Sequence, residues 1–194
     1  AALAYPGAGR SVQEELTALI AAIGENMNLR RLARLEGKQG VGAGYSHMGG
    51  KIGTLVGLES DAADQNALQE LGKKIAMHVA ASTPFYLNRE QVPQADLDRE
   101  KEVLSDQARA SGKPESIIEK MVIGRLSKFY GDNCLVEQPF VMDQEQTVQN
   151  VVDGVAKQLN STIRISGFAR FMMGEGLQKR EEDFAAEVAK QIGQ

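Results

Sequence analysis

The chain has 194 residues, 42% of them apolar and 25% charged, with a formal net charge of −4. That length buries a real core in one large or two small domains, and the composition is that of an ordinary globular protein. The acidic balance argues against nucleic acid as a direct partner, no apolar run approaches the length of a membrane span, and the single cysteine, Cys134, builds no disulfide framework.

The chain opens without Met and without a signal-like segment, as expected of a mature or trimmed product. Ala1–Ser11 is small and Gly-rich and reads as a loop. Ser11 and Glu14 have the spacing of a capping box, Val12, Leu16, Leu19, Ile20 and Ile23 follow helical spacing, and Gly24 is a natural stop. Asn28–Glu36 fits both strand alternation and a short helix, and both readings stay open. Gly42–Pro84 is the stretch that organises the rest: strand, Gly-rich turn, strand, then an amphipathic helix. Ile52–Leu58 is β in character, with Gly53 and Gly57 on one face where another backbone is expected to approach closely. Leu68, Leu71, Ile75, His78 and Ser82 share one helix face, and Pro84 ends that helix.

Further on, helix one is expected over Ala95–Ser111, and helix two after Gly112 and Pro114. Ile117, Ile118, Met121, Val122, Arg125, Leu126 and Phe129 make a stripe on helix two, whereas helix one is lean in apolar residues. The pair packs on the body of the protein or is covered by a second copy. Cys134–Asp143 reads as an extended apolar segment broken by Pro139, and Gln146–Leu159 as a short helix. Thr162–Met173 alternates, with Ile163, Ile165, Gly167, Ala169, Phe171 and Met173 on its inner face. It is expected to pair with Ile52–Leu58, the helical hairpin being inserted between them. A last helix is expected over Arg180–Ile192, its first turn carrying Glu181, Glu182 and Asp183. The fold class is therefore α+β: antiparallel sheet layers packed with helices, an inserted antiparallel helical hairpin and a C-terminal helix.

Chemistry is sparse. A phosphate-binding loop would place Gly five residues before Gly50 and a hydroxyl after Lys51, but Tyr45 and Ile52 stand there. His47 and His78 are the only histidines, and nothing ties either to Cys134 or a serine as a nucleophilic pair. No metal-ligand spacing is present, and no cofactor is expected. Asn160-Ser161-Thr162 matches a glycosylation sequon by pattern only. These residues point to a binding protein, not an enzyme.

Several separated runs then carry a resemblance. They are Ile23-Gly24-Glu25-Asn26 with Leu29-Arg30-Arg31, Gly44-Tyr45-Ser46-His47, Lys51–Leu58, Ile75–Ser82, and Gly112-Lys113-Pro114 with Glu119–Val122 and Gly124-Arg125. Gln138–Met142, Arg170-Phe171, Gly174-Glu175-Gly176 and Asp183–Ala189 complete the series. In this order, across nearly all of the chain, they resemble translation elongation factor Ts, the nucleotide-exchange partner of elongation factor Tu. The resemblance implies a guanine-nucleotide exchange factor that promotes GDP release by binding and distorting that GTPase, in bacterial cytoplasm or in the matrix of a mitochondrion or chloroplast. It divides the chain into a remnant of a first core subdomain (1–40), a second core subdomain (41–89 and 132–179), a coiled-coil-like hairpin that in several members mediates dimerisation (90–131), and a C-terminal helical module (180–194). Ile23 and Gly24 match the helix end that meets the GTPase domain, His47 the histidine of the strand facing the partner, and Val141 and Met142 the apolar pair after Gln-Pro-Phe. His78 reads as structural. The family's Thr-Asp-Phe-Val wedge, whose Asp-Phe pair disturbs the partner's Mg²⁺ site, does not occur in these residues. A scaffold or assembly subunit that keeps the fold without exchange is the alternative.

Overall fold

Ser11 starts the first helix as its spacing predicts. The computed structural model describes residues 4, 7, 9–110, 112 and 114–177. It divides into two compact units, 1–34 and 35–194. In the first, Ser11 and Glu14 form the reciprocal capping box on α1 (Val12–Ile23), and Gly24 closes it in the left-handed conformation at φ 78°. The segment 28–36, open between strand and helix in the sequence, forms neither. Leu29 and Leu32 on it are exposed. The expected C-terminal helix lies outside the described residues, as does most of the N-terminal loop.

The second unit is built on a three-stranded antiparallel sheet in the order β1 (Gly40–His47), β2 (Ile52–Ser60), β5 (Ile163–Met172). The two long strands pair across the whole intervening chain, as expected. α2 (Gln65–Ser82) crosses the inner face of β1 and β2, and α5 (Val148–Gln158) packs beside it against β5. Between them Val56, Leu58, Leu68, Ile75, Val79, Leu135, Val148, Val152 and Ile165 form one buried cluster. The architecture is the α+β class read from the sequence. The reason is local: β-branched and Gly-rich alternation makes strands, while the 3.6-residue stripes on α2 and α5 make helices that bury one face.

Three expectations need correction. The alternation on β5 breaks in the middle: Gly57 pairs with Gly167 but Leu58 pairs with Ile165, so Ser166 is extra. This bulge flips the strand. Beyond it Phe168, opposite Val56, and Arg170, opposite Thr54, take the inner face in place of Ala169 and Phe171. Secondly, Gly57 and Gly53 do not receive another backbone. A Cβ at Gly57 would lie 2.5 Å from Ser166 Oγ and 3.8 Å from Leu35 Cδ1, and at Gly53 nothing lies within 4 Å. Thirdly, Cys134–Asp143 is not one extended segment. It contains a 3₁₀ turn (Leu135–Glu137) and then β3 (Pro139–Phe140), which pairs with β4 (Asp143–Thr147). Pro139 tolerates this because a two-stranded ribbon leaves each strand an open edge.

The hairpin consists of α3 (Gln94–Arg109) and α4 (Glu115–Asn133). Pro114 is the N-cap of α4, the two helices pack on each other, and Leu104 on α3 and Ile118 on α4 are buried. At its base, Phe85 and Tyr86 donate to the carbonyl of Asn133, and Leu135 and Val136 donate to Tyr86 and Leu87. Arg89 clamps the same neck, with Nε and Nη2 each 2.6 Å from a different Glu137 oxygen and its guanidinium 4.5 Å above the Tyr130 ring.

Candidate functional site

α2 and α5 pack on the inner face of the sheet, and the β1–β2 turn lies at one end of it. That turn is Met48–Lys51, with Met48 at φ 51° and 60% exposed. Beside it, the turn between β3 and β4 brings in Val141 and Met142, 41% and 48% exposed. α2 supplies the floor with Met77, Ala80 and Ala81, spaced i, i+3, i+4 on one face. Together with Tyr45, His47 and Ile52 these residues line an apolar groove of about 400 Å³.

Three of the residues selected from the sequence therefore meet: His47 from one strand end, and Val141 and Met142 from a turn some ninety residues later. His47 is exposed, its Nδ1 lies 3.0 Å from the Tyr45 hydroxyl, and the two rings stack at 5.8 Å. The stack holds the imidazole at the rim of the groove. Ile23 and Gly24 belong to the other compact unit; Ile23 is 57% exposed at the end of α1. Sequence reasoning missed the other wall residues. Tyr45 is two residues from His47 on the same strand face, and Met77, Ala80 and Ala81 have helical spacing, so the signal was there. What makes them a wall is the placement of α2 against the hairpin.

The groove is mostly apolar. Its lining is thioether, methyl and aromatic carbon with one imidazole, a surface that adapts to an apolar partner. His78 lies behind it, fully buried, and burial holds its pKa below the ordinary value, against the opposing effect of its bond to Gln138. Cys134 is also buried, and desolvation, with Glu137 adding repulsion, pushes its thiol up to about 11. It is no nucleophile at neutral pH. Asp61 is the other perturbed group. Its Oδ1 accepts from the Ser161 hydroxyl at 2.5 Å and from the Thr162 amide and hydroxyl, each at 3.0 Å, and these bonds hold its pKa down at about 2. It closes the loop between α5 and β5 onto the end of β2. Among the described residues no group of three or more His, Cys, Asp or Glu is placed to hold a metal ion, and no helix is long and apolar enough to cross a membrane.

Comparison with known proteins bears on the groove. The model of the family Elongation factor TS matches residues 1–175. The chain belongs to the elongation factor Ts family. Curated elongation factor Ts proteins are similar along almost its whole length. That of Magnetococcus marinus is 60% identical over 191 residues, covering 98% of this chain. Those of Rhodospirillum rubrum and Rhodospirillum centenum are 54% and 52% identical, each over 97% of it. The chain spans 63% of the length of each of these three relatives. The Gly-Tyr-Ser-His and Gln-Pro-Phe-Val-Met runs that the groove unites both lie within the family match.

Proposed function

We propose that the chain is the docking core of a guanine-nucleotide exchange factor for elongation factor Tu, and that the groove of His47, Val141 and Met142 is a contact surface for that GTPase. The observation that carries this reading is the convergence itself. Two motifs far apart in sequence, each matched to a partner-contacting position of the family, build one apolar groove that nothing in the described chain covers. Ile23 and Gly24, at the closed end of α1, are proposed as a further contact.

The chemistry is linkage. A protein that weakens GDP binding is weakened by GDP to the same factor. The groove supplies affinity, and only contacts that differ between the GDP-bound and distorted partner supply exchange. The Asp-Phe wedge that serves this end in the family is not among these residues. The test is release of a fluorescent GDP analogue from elongation factor Tu, with and without the chain. Accelerated release establishes exchange by this core. Binding without acceleration reduces the reading to docking and favours the scaffold alternative, and absence of binding overturns it.

The hairpin supports a second proposal, self-association. Val103, Ile117 and Ile123 on α3 and α4 are 45%, 44% and 68% exposed, apolar surface that a second copy would cover. Sedimentation equilibrium tests it: a single 21.0 kDa species at every concentration excludes a dimer. The cytoplasm of a bacterium is the proposed location, from the bacterial sources of the relatives.

A further inference from the structure

His78 lies in the helix that floors the groove, sixty residues before Gln138 in the chain. It is 0% exposed, yet all its polar atoms are engaged. The backbone N–H of Val141 donates to Nδ1 at 3.1 Å, and Nε2 lies 2.9 Å from Gln138 Oε1. Because an amide can only donate, Nδ1 must be the unprotonated nitrogen, and the proton sits on Nε2 and points at Gln138. Gln138 completes the chain: its amide nitrogen donates to the carbonyl of Asp132 at 2.7 Å and, at 3.5 Å, to that of Ser82. Phe140 packs its ring 5.7 Å from the imidazole. The Ser82 hydroxyl lies 3.4 Å from the same Nδ1, so this nitrogen faces both α2 and the turn. The outer end of the network is Val141, whose side chain, with Met142, forms one wall of the groove.

We infer that His78, oriented by Gln138, is the positioning residue of the docking surface: it holds the Val141–Met142 turn in the shape that receives the partner. A histidine buried for packing alone needs no bond to a turn, and a leucine of similar volume would serve. Here the imidazole bridges α2 to a turn that has little else to fix it, since β3 and β4 pair through only two residue positions, Pro139 with Thr147 and Phe140 with Asp143. Without the bond the turn keeps its residues but samples other conformations, and the partner must bear the cost of ordering it. The inference rests on the docking reading proposed above.

Two substitutions separate the bonds. His78→Asn places a carbonyl oxygen near the position of Nδ1 and retains an acceptor for Val141. His78→Gln reaches toward Gln138 and leaves the Val141 amide unpaired. Affinity for nucleotide-free elongation factor Tu is measured for wild type and both variants, alongside their thermal midpoints. The expected result is a roughly tenfold loss for His78→Gln, the size of one unpaired buried donor, and a clearly smaller loss for His78→Asn even if both are equally destabilised. Equal losses for the two variants, or wild-type affinity in a folded His78→Gln protein, would overturn the inference while leaving the docking reading intact. Failure of the wild type to bind would overturn the docking reading itself. A third measurement needs neither variant nor partner: nitrogen-15 NMR of the imidazole in the wild-type chain. The Nε2–H tautomer, with a slowly exchanging Val141 amide, is expected. The Nδ1–H tautomer would remove the bond on which the inference stands.

Discussion

Asp61 shows how one exposed carboxylate ties two strands together. Its folded pKa lies near 2 because three donors from Ser161 and Thr162 favour the charged form. In the unfolded chain the same group takes its proton near pH 4. Between those values the unfolded state binds more protons, so the stability it contributes is complete above about pH 4 and is lost as pH falls toward 2. Asp61→Asn is expected to flatten the acid limb of a denaturant-stability profile in that window; an unchanged limb would show that the bonds are not made in solution. His78 acts at a higher pH with the same sign. Its neutral form is the folded one, so stability falls as the unfolded histidine gains its proton below about pH 6.5. Cys134, with its thiol pushed up to about 11, is expected to resist iodoacetamide at pH 8 in the native protein and to react promptly in denaturant. Native labelling at the denatured rate would contradict its burial.

At the scale of elements, the contact between α2 and β1 turns on Gly72. A Cβ there would lie 2.7 Å from the Cβ of Ala43 and 3.4 Å from Leu58 Cδ1. Gly72→Ala gains about 1 kcal/mol of helix propensity but forces the helix off the sheet, at about 1–3 kcal/mol. The overpacking wins because Ala43 is itself 0% exposed and cannot move aside. A net loss of up to about 2 kcal/mol is expected in urea unfolding, and a gain would mean that α2 stands further from β1. The hairpin offers a contrasting case. Ile118 and Leu104 are its buried apolar residues among those described on α3 and α4. Ile118→Ala removes about 2–4 kcal/mol, and the loss is expected as faster amide exchange in α3 and α4 with α2 unchanged. Exchange rising equally in α2 would show that hairpin and body unfold as one unit.

For the whole molecule, the groove joins elements with no sequence proximity, and the proposed docking is to be read in partner binding instead of stability. Met142 is half exposed and makes no hydrogen bond through its side chain. Met142→Asp is expected to leave the thermal midpoint within a degree or two while weakening elongation factor Tu binding at least tenfold, by placing a charge against an apolar partner surface. Undiminished affinity would move the contact elsewhere. Under the proposed exchange reading, saturating GDP is expected to weaken the wild-type complex by the same factor by which the chain raises the dissociation constant of GDP.

Local pattern determined much of this protein. The capping box at Ser11 and Glu14, the stop at Gly24, the stripe on α2 and the pairing of β2 with β5 were legible because each depends on residues a few positions apart or on a hydrophobic period. The motif runs pointed to His47, Val141 and Met142 as proposed contacts and to His78 as structural. Tertiary structure decided the rest. The bulge at Ser166 reverses the inner face of β5, since one extra residue shifts a period of two, and no composition signals it. The segment 28–36 forms no element: Leu29 and Leu32 stay exposed, and Leu35 lies against Gly57 and Gly167 of the sheet without joining it as a strand. The groove and the bond from Val141 to His78 exist only once α2, the β1–β2 turn and the β3–β4 turn converge. Sequence periodicity tells which face of an element is apolar, but only packing decides which faces meet and which stay open for a partner.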